Sequence, residues 1–175
     1  MVVRWLIPIG VGAASVAQVA HATQYLTVEQ AQRAAFPEAT TFESVRANFD
    51  AAAIGAPAGW TPRIWQARSG DKLLGWFFAD AVIGKSEAID YALALDASGA
   101  VSSLEILQYR ESHGSEVRMA PWRKQFVGRT ARDPVVLNED IKNISGATLS
   151  CRHLTEGVQR LLKLREHALF VKPVS

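Results

Sequence analysis

Residues 73–109 read LLGWFFADAVIGKSEAIDYALALDASGAVSSLEILQY, and this stretch decides the fold. Residues 73–82, 88–95 and 101–109 are apolar runs of strand length, the last two parted by the turn Asp96-Ala97-Ser98-Gly99. In the third run Leu104, Ile106 and Leu107 mix with Ser103, Glu105 and Gln108, the pattern of a sheet with one buried face. Just upstream, the turn Ser69-Gly70-Asp71 separates residues 63–67, a further strand, from Leu73. Strands joined by such short turns make an antiparallel meander.

Outward from the meander the pattern changes period. Thr27-Val28-Glu29-Gln30 has the form of a capping box, predicting a helix of about ten residues. It should stop at Phe36-Pro37, because a residue before proline avoids the helical region. Residues 40–49 alternate loosely and predict a strand, and residues 50–62, rich in Ala, Gly and Pro, predict a helical turn and a loop. After the meander, Arg110 to Gly114 ends the sheet. Residues 120–127 predict a helix with Trp122 and Phe126 on one face and Gly128 as C-cap, followed by an extended connection over 129–144. From about Leu149 to Leu164 the clearest element follows, with Leu154, Val158, Leu161 and Leu162 on one face. Arg152, Glu156, Gln159, Arg160 and Lys163 fill the rest of that helix. With no repeat and no dividing linker, residues 23–175 read as one α+β domain: an antiparallel β-meander sheet packed with helices, ending in an amphipathic helix.

Composition narrows the function classes. The chain has 175 residues with a formal charge of +2 and no basic run, so no nucleic-acid partner is expected. Residues 1–22 stand apart: Arg4 precedes an uncharged stretch that closes on Ala20-His21-Ala22, an A-x-A cleavage pattern. This predicts a signal peptide cut before Thr23 and a periplasmic or otherwise extracytoplasmic protein, with an uncleaved membrane anchor as the alternative. The single cysteine, Cys151, excludes an internal disulfide, c-type haem attachment and a cysteine-ligated cluster or zinc site. Redox chemistry here would therefore need an organic cofactor.

Ser145-Gly146-Ala147-Thr148 sits where the terminal helix should begin. A helix start exposes backbone N–H groups and the positive end of the macrodipole, so phosphate is stabilised there. Gly146 and Ala147 keep the adjoining space small, and the hydroxyls of Ser145, Thr148 and Ser150 can bond to phosphate oxygens or be esterified. The competing explanation is an ordinary N-cap at Ser145 or Thr148. Cys151 has a helix-start position that would lower its thiol pKa if exposed, or is structural if buried.

Ile144-Ser145-Gly146-Ala147-Thr148 resembles the flavinylation motif of the FMN-binding domain family, which includes flavinylated subunits of sodium-pumping NADH:quinone reductases and related electron-transport complexes. Gly75-Trp76-Phe77-Phe78, Gly84-Lys85, Ile89-Asp90-Tyr91, Leu95-Asp96, Gly99, Val101 and Ile106-Leu107 follow the family's order. So do Glu111, Gly114, Trp122, Gln125-Phe126 and Gly128, and the resemblance spans about residues 73–165. It implies that a flavin transferase joins FMN, taken from FAD, to Thr148 through a phosphoester, non-covalent binding being the alternative. It implies that Ser145, Gly146 and Ala147 form the phosphate-side turn with Leu149 beside them, and that Glu111 and Gly114 belong to a loop next to the flavin. Trp122 and Phe126 would pack on the ring, or else serve as ordinary core. Lys142, Arg152 and His153 would lie near the phosphate or the reduced ring, His153 otherwise being a polar residue on the exposed helix face. His113 is a proton relay or a solvent-exposed loop residue. Two positions depart from the family: Lys142 stands where an aspartate is usual, with Asp140 two residues earlier, and the loop reads Glu111-Ser112-His113-Gly114-Ser115. The function implied is an exported electron carrier working between membrane or periplasmic redox partners. A small flavin-dependent reductase and a flavin-free sensor or assembly module are the alternatives.

Overall fold

The computed structural model describes residues 23–172, so the leader expected over 1–22 lies outside the described residues. In chain order the elements are β1 (Thr23–Gln24), α1 (Val28–Ala35), β2 (Thr41–Asn48), β3 (Arg63–Ser69), β4 (Lys72–Ile83), β5 (Ala88–Asp96), β6 (Val101–Tyr109), α2 (Ala120–Arg123), α3 (Thr148–His167) and β7 (Leu169–Val171). The strands form one seven-stranded antiparallel sheet in the order β1-β6-β5-β4-β3-β2-β7. The α+β meander read from residues 73–109 is present, and β6 has the bounds expected of it.

Side-chain size sorts the two faces of the central strands. From β4, Trp76, Phe78 and Val82 point to one face; from β5, Ile89, Tyr91, Leu93 and Leu95 join them, and α3 covers this face with Leu154, Val158, Leu161 and Leu162. The alternate residues Phe77, Ala79, Ala92 and Ala94 meet Ala31 and Phe36, from α1 and the residue that ends it, on the other face. The one-sided pattern of β6 therefore does not extend to β4 and β5. They bury both faces, which is why their sequence runs nearly continuously apolar. α1 begins as predicted: Thr27 Oγ1 accepts from Gln30 N, Gln30 Oε1 accepts from Thr27 N, and the helix stops before Phe36.

Three elements differ from the sequence reading. The helix expected over 120–127 is one α-turn, Ala120–Arg123, continued by a 3-10 turn over Lys124–Phe126, with Pro121 in its first turn. Residues 129–144 do not run extended; Asp140 N and Ile141 N both return to Val136 O, and Asp140 is held by Arg129. The sheet also gains β1 and β7, two and three residues long, too short to show a period in sequence.

Candidate functional site

α3 starts without a side-chain cap. Its N-cap is Ala147 (φ −117°, ψ 20°), a poor capping residue, and Thr148 is the first helical residue. The ordinary N-cap explanation for Ser145 or Thr148 is thereby removed. The first-turn N–H groups of Thr148, Leu149 and Ser150 have no intrahelical acceptors, the first helical bond being Cys151 N to Ala147 O at 2.9 Å. Gly146 leads into this turn at φ +85°, and Ala147 N closes it onto Ile144 O at 3.0 Å.

Beside this helix start lies an open cleft of about 420 Å³, lined by Lys85, Ser86, Glu111, Ser112, His113 and residues 146–150. Three segments distant in sequence meet there. The β4–β5 turn is tied in by Glu111, whose Oε1 accepts from Ser86 N at 2.5 Å and Glu87 N at 2.8 Å. Burial would raise the Glu111 pKa, but the N–H groups of Glu87, Ser86 and Lys85 and the Lys85 charge outweigh it and hold the carboxyl below its ordinary value. The same turn is pinned to α3 by His153, whose Nδ1 lies 2.5 Å from Ile83 O and 3.0 Å from Gly84 O. Carbonyls only accept, so Nδ1 carries the proton. His153 is thus partly buried and structural, not a free polar residue on the outer face.

The loop after β6 is fastened from below. Tyr109 Oη donates to His113 O at 2.6 Å and lies 3.0 Å from Ser150 Oγ, joining loop to helix. Gly114 sits where they converge, at φ +88°. A Cβ there would come within 2.8 Å of Tyr109 Oη and 3.2 Å of Ala147 Cβ, so only glycine fits. His113 is exposed at the rim, with Ser112 Oγ 3.0 Å from its Nδ1.

Thr148 is half-buried at the cleft, and Asn143 Nδ2 donates to its Oγ1 at 3.0 Å. Leu149, exposed by 39%, gives the cleft an apolar wall. Ser145 lies exposed on the turn outside the cleft lining. Trp122 is not brought to the cleft: it is buried against Phe126, ring centroids 5.1 Å apart, and its Nε1 donates to Lys142 O at 2.8 Å. Gln125 Oε1 accepts from Lys142 N at 2.8 Å, so this short helix clamps the backbone leading into the motif. Cys151 is fully buried, and burial raises its thiol pKa.

In the sequence Lys85 stands out only as part of the matching order, and nothing marks Ser86, Ser112 or Asn143 for a site role. Lys85 and Ser86 reach the cleft because strand pairing carries the β4–β5 turn beneath α3. The tie that holds it there, Glu111 to amides 24 and 25 residues away, has no local signature.

A phosphorylated ligand fits these residues. Uncapped helix N–H groups and hydroxyls stand beside Lys85, while the one carboxylate in the lining, Glu111, is already occupied by backbone donors. Fold and cleft together define a small α+β domain suited to hold such a ligand at a helix start. Residues 84–163 match the model of the FMN-binding domain. The match assigns residues 84–163 to an FMN-binding domain, which supports FMN as the ligand of the cleft. No curated protein matches the sequence.

Proposed function

We propose that the protein is an exported electron carrier whose FMN is held in the cleft at the start of α3 as a phosphoester of Thr148. The observation that carries this reading is Thr148 itself: a hydroxyl at the first position of an uncapped helix, opening on a cleft lined by polar donors. FMN would supply transfer of one or two electrons, and the protein would supply attachment, orientation and shielding.

Attachment is a group transfer from FAD. Thr148 Oγ forms a bond to the phosphorus of the FMN half, the pyrophosphate P–O bond breaks, AMP leaves with the electron pair, and the hydroxyl proton passes to a base of the flavin transferase. Asn143 holds Thr148 Oγ by one lone pair and leaves the other for the phosphorus. The first-turn N–H groups of α3 and the Lys85 ammonium would hold the ester's negative charge. Leu149 would offer the ring an apolar contact. His113, with Nδ1 engaged by Ser112, keeps Nε2 to exchange a proton at the rim. An ester suits an exported protein, because a cofactor lost outside the cytoplasm has little free flavin to replace it. The partners are a flavin transferase during maturation and membrane or periplasmic redox proteins afterwards.

Co-expression of Thr148→Ala and Thr148→Ser with a flavin transferase tests the reading. The serine variant, which keeps the hydroxyl, should retain a fluorescent band after SDS denaturation, and the alanine variant should have none. Equal fluorescence in wild type and Thr148→Ala would refute attachment at this residue.

A further inference from the structure

At the far end of α3, roughly 25 Å from Thr148 at 1.5 Å per helical residue, a second cavity of about 400 Å³ lies between the β5–β6 turn, residues 130–132 and the last helical turn. Its lining includes two guanidinium groups, Arg132 and Arg165, and one carboxylate, Glu166. Arg165 is held with its guanidinium 4.6 Å from the centroid of the Trp76 ring and 6.0 Å from that of Phe170. The aromatic faces attract its charge but accept none of its in-plane hydrogen bonds. Its Nε is sealed from solvent with no hydrogen-bond partner among the described residues, and Trp76 Nε1 beside it is orphaned in the same way. Burial holds the Arg165 pKa below the usual arginine value.

Four of the other partly buried arginines show what is missing. Arg68, Arg110, Arg123 and Arg129 each face a carboxylate, whereas Arg165 and Arg132 face none among the described residues. Among the described residues, none of the nearby acids forms an ion pair with either arginine. Asp133 accepts from Thr130 N and Oγ1, Asp96 accepts from Ser98 and Ala100, and the exposed Glu166 carboxylate at the cavity wall lies 3.8 Å from His167 Nε2. A guanidinium partly withdrawn from water without an acceptor is costly, and a planar oxyanion is its natural complement.

We propose that this cavity is a second ligand site, taking a small molecule that presents a carboxylate or phosphate group to Arg165 and Arg132. The site is independent of the flavin and of its mode of attachment. Calorimetric titration of the full chain with inorganic phosphate, and separately with succinate, at ionic strength fixed by chloride, tests it. At least one of the two should bind saturably at one site, and which one does so distinguishes phosphate from carboxylate. Arg165→Met, which keeps an apolar stem over Trp76, should weaken that binding at least about tenfold. Arg132→Ala, at an exposed position, should weaken it without disturbing the packing under Arg165. Absence of saturable binding by either anion, or wild-type affinity in either variant, would overturn the proposal.

Discussion

Among the described residues Thr148 Oγ has one hydrogen-bond partner, Asn143 Nδ2 at 3.0 Å, and removing that donor frees the hydroxyl to rotate. Asn143→Ala should slow flavin transfer about fivefold, the worth of one modest hydrogen bond, in a time course of mass gain. An unchanged rate would mean that the contact does not orient the nucleophile. Glu111 carries a pH dependence whose sign is set by its lowered pKa. Its contribution is complete above the unfolded glutamate value of about 4.3 and is lost as pH falls through the lower folded value. Protection of the Ser86 and Glu87 amides, relative to their intrinsic exchange rates, should therefore be lost as pH falls through the lowered Glu111 pKa, and Glu111→Gln should flatten that loss. Gly114→Ala combines a positive φ with a 2.8 Å clash and should cost about 1–3 kcal/mol in denaturant unfolding. The motif 145–148 was legible because helix-start chemistry is local. Asn143 was not, since nothing in sequence aims its amide at a hydroxyl on the next turn; for Trp122 the structure bears out the ordinary-core alternative over packing on the ring.

Among the elements, α3 was the most legible: it begins at Thr148, close to the expected Leu149, and runs three residues past the expected Leu164 to His167. One position on it reverses the usual helix rule. Gly157 lies against the sheet, where an added Cβ would meet Tyr91 Oη at 2.5 Å and Val82 Cγ1 at 3.0 Å. Propensity alone favours alanine in a helix by about 1 kcal/mol, yet Gly157→Ala should destabilise the protein by about 1–3 kcal/mol. A raised melting temperature in that variant would contradict the α3–sheet packing. The close approach serves the buried Tyr91 hydroxyl, which donates to Asp80 at 2.9 Å. The meander was legible from its turns, while the covering of its second face was not. The run of alanines at 79, 92 and 94 makes room for α1, but a small residue in a strand does not say which element fills the space. β7 needed tertiary information outright, because Leu169–Val171 is ordered by pairing with β2.

On the scale of the whole molecule, one helix links two ends of different character. Its start opens on a cleft with uncapped N–H groups and a hydroxyl, and its end carries a guanidinium that pairs with no carboxylate among the described residues, over a second cavity. The central claim concerns the first end. Its most direct measurement is the intact mass of the denatured chain after maturation with a flavin transferase, followed by mapping of the modified peptide. The account predicts a gain of one FMN less one water, carried by the peptide that contains Thr148. An unmodified mass, with flavin released on denaturation or absent altogether, would contradict it.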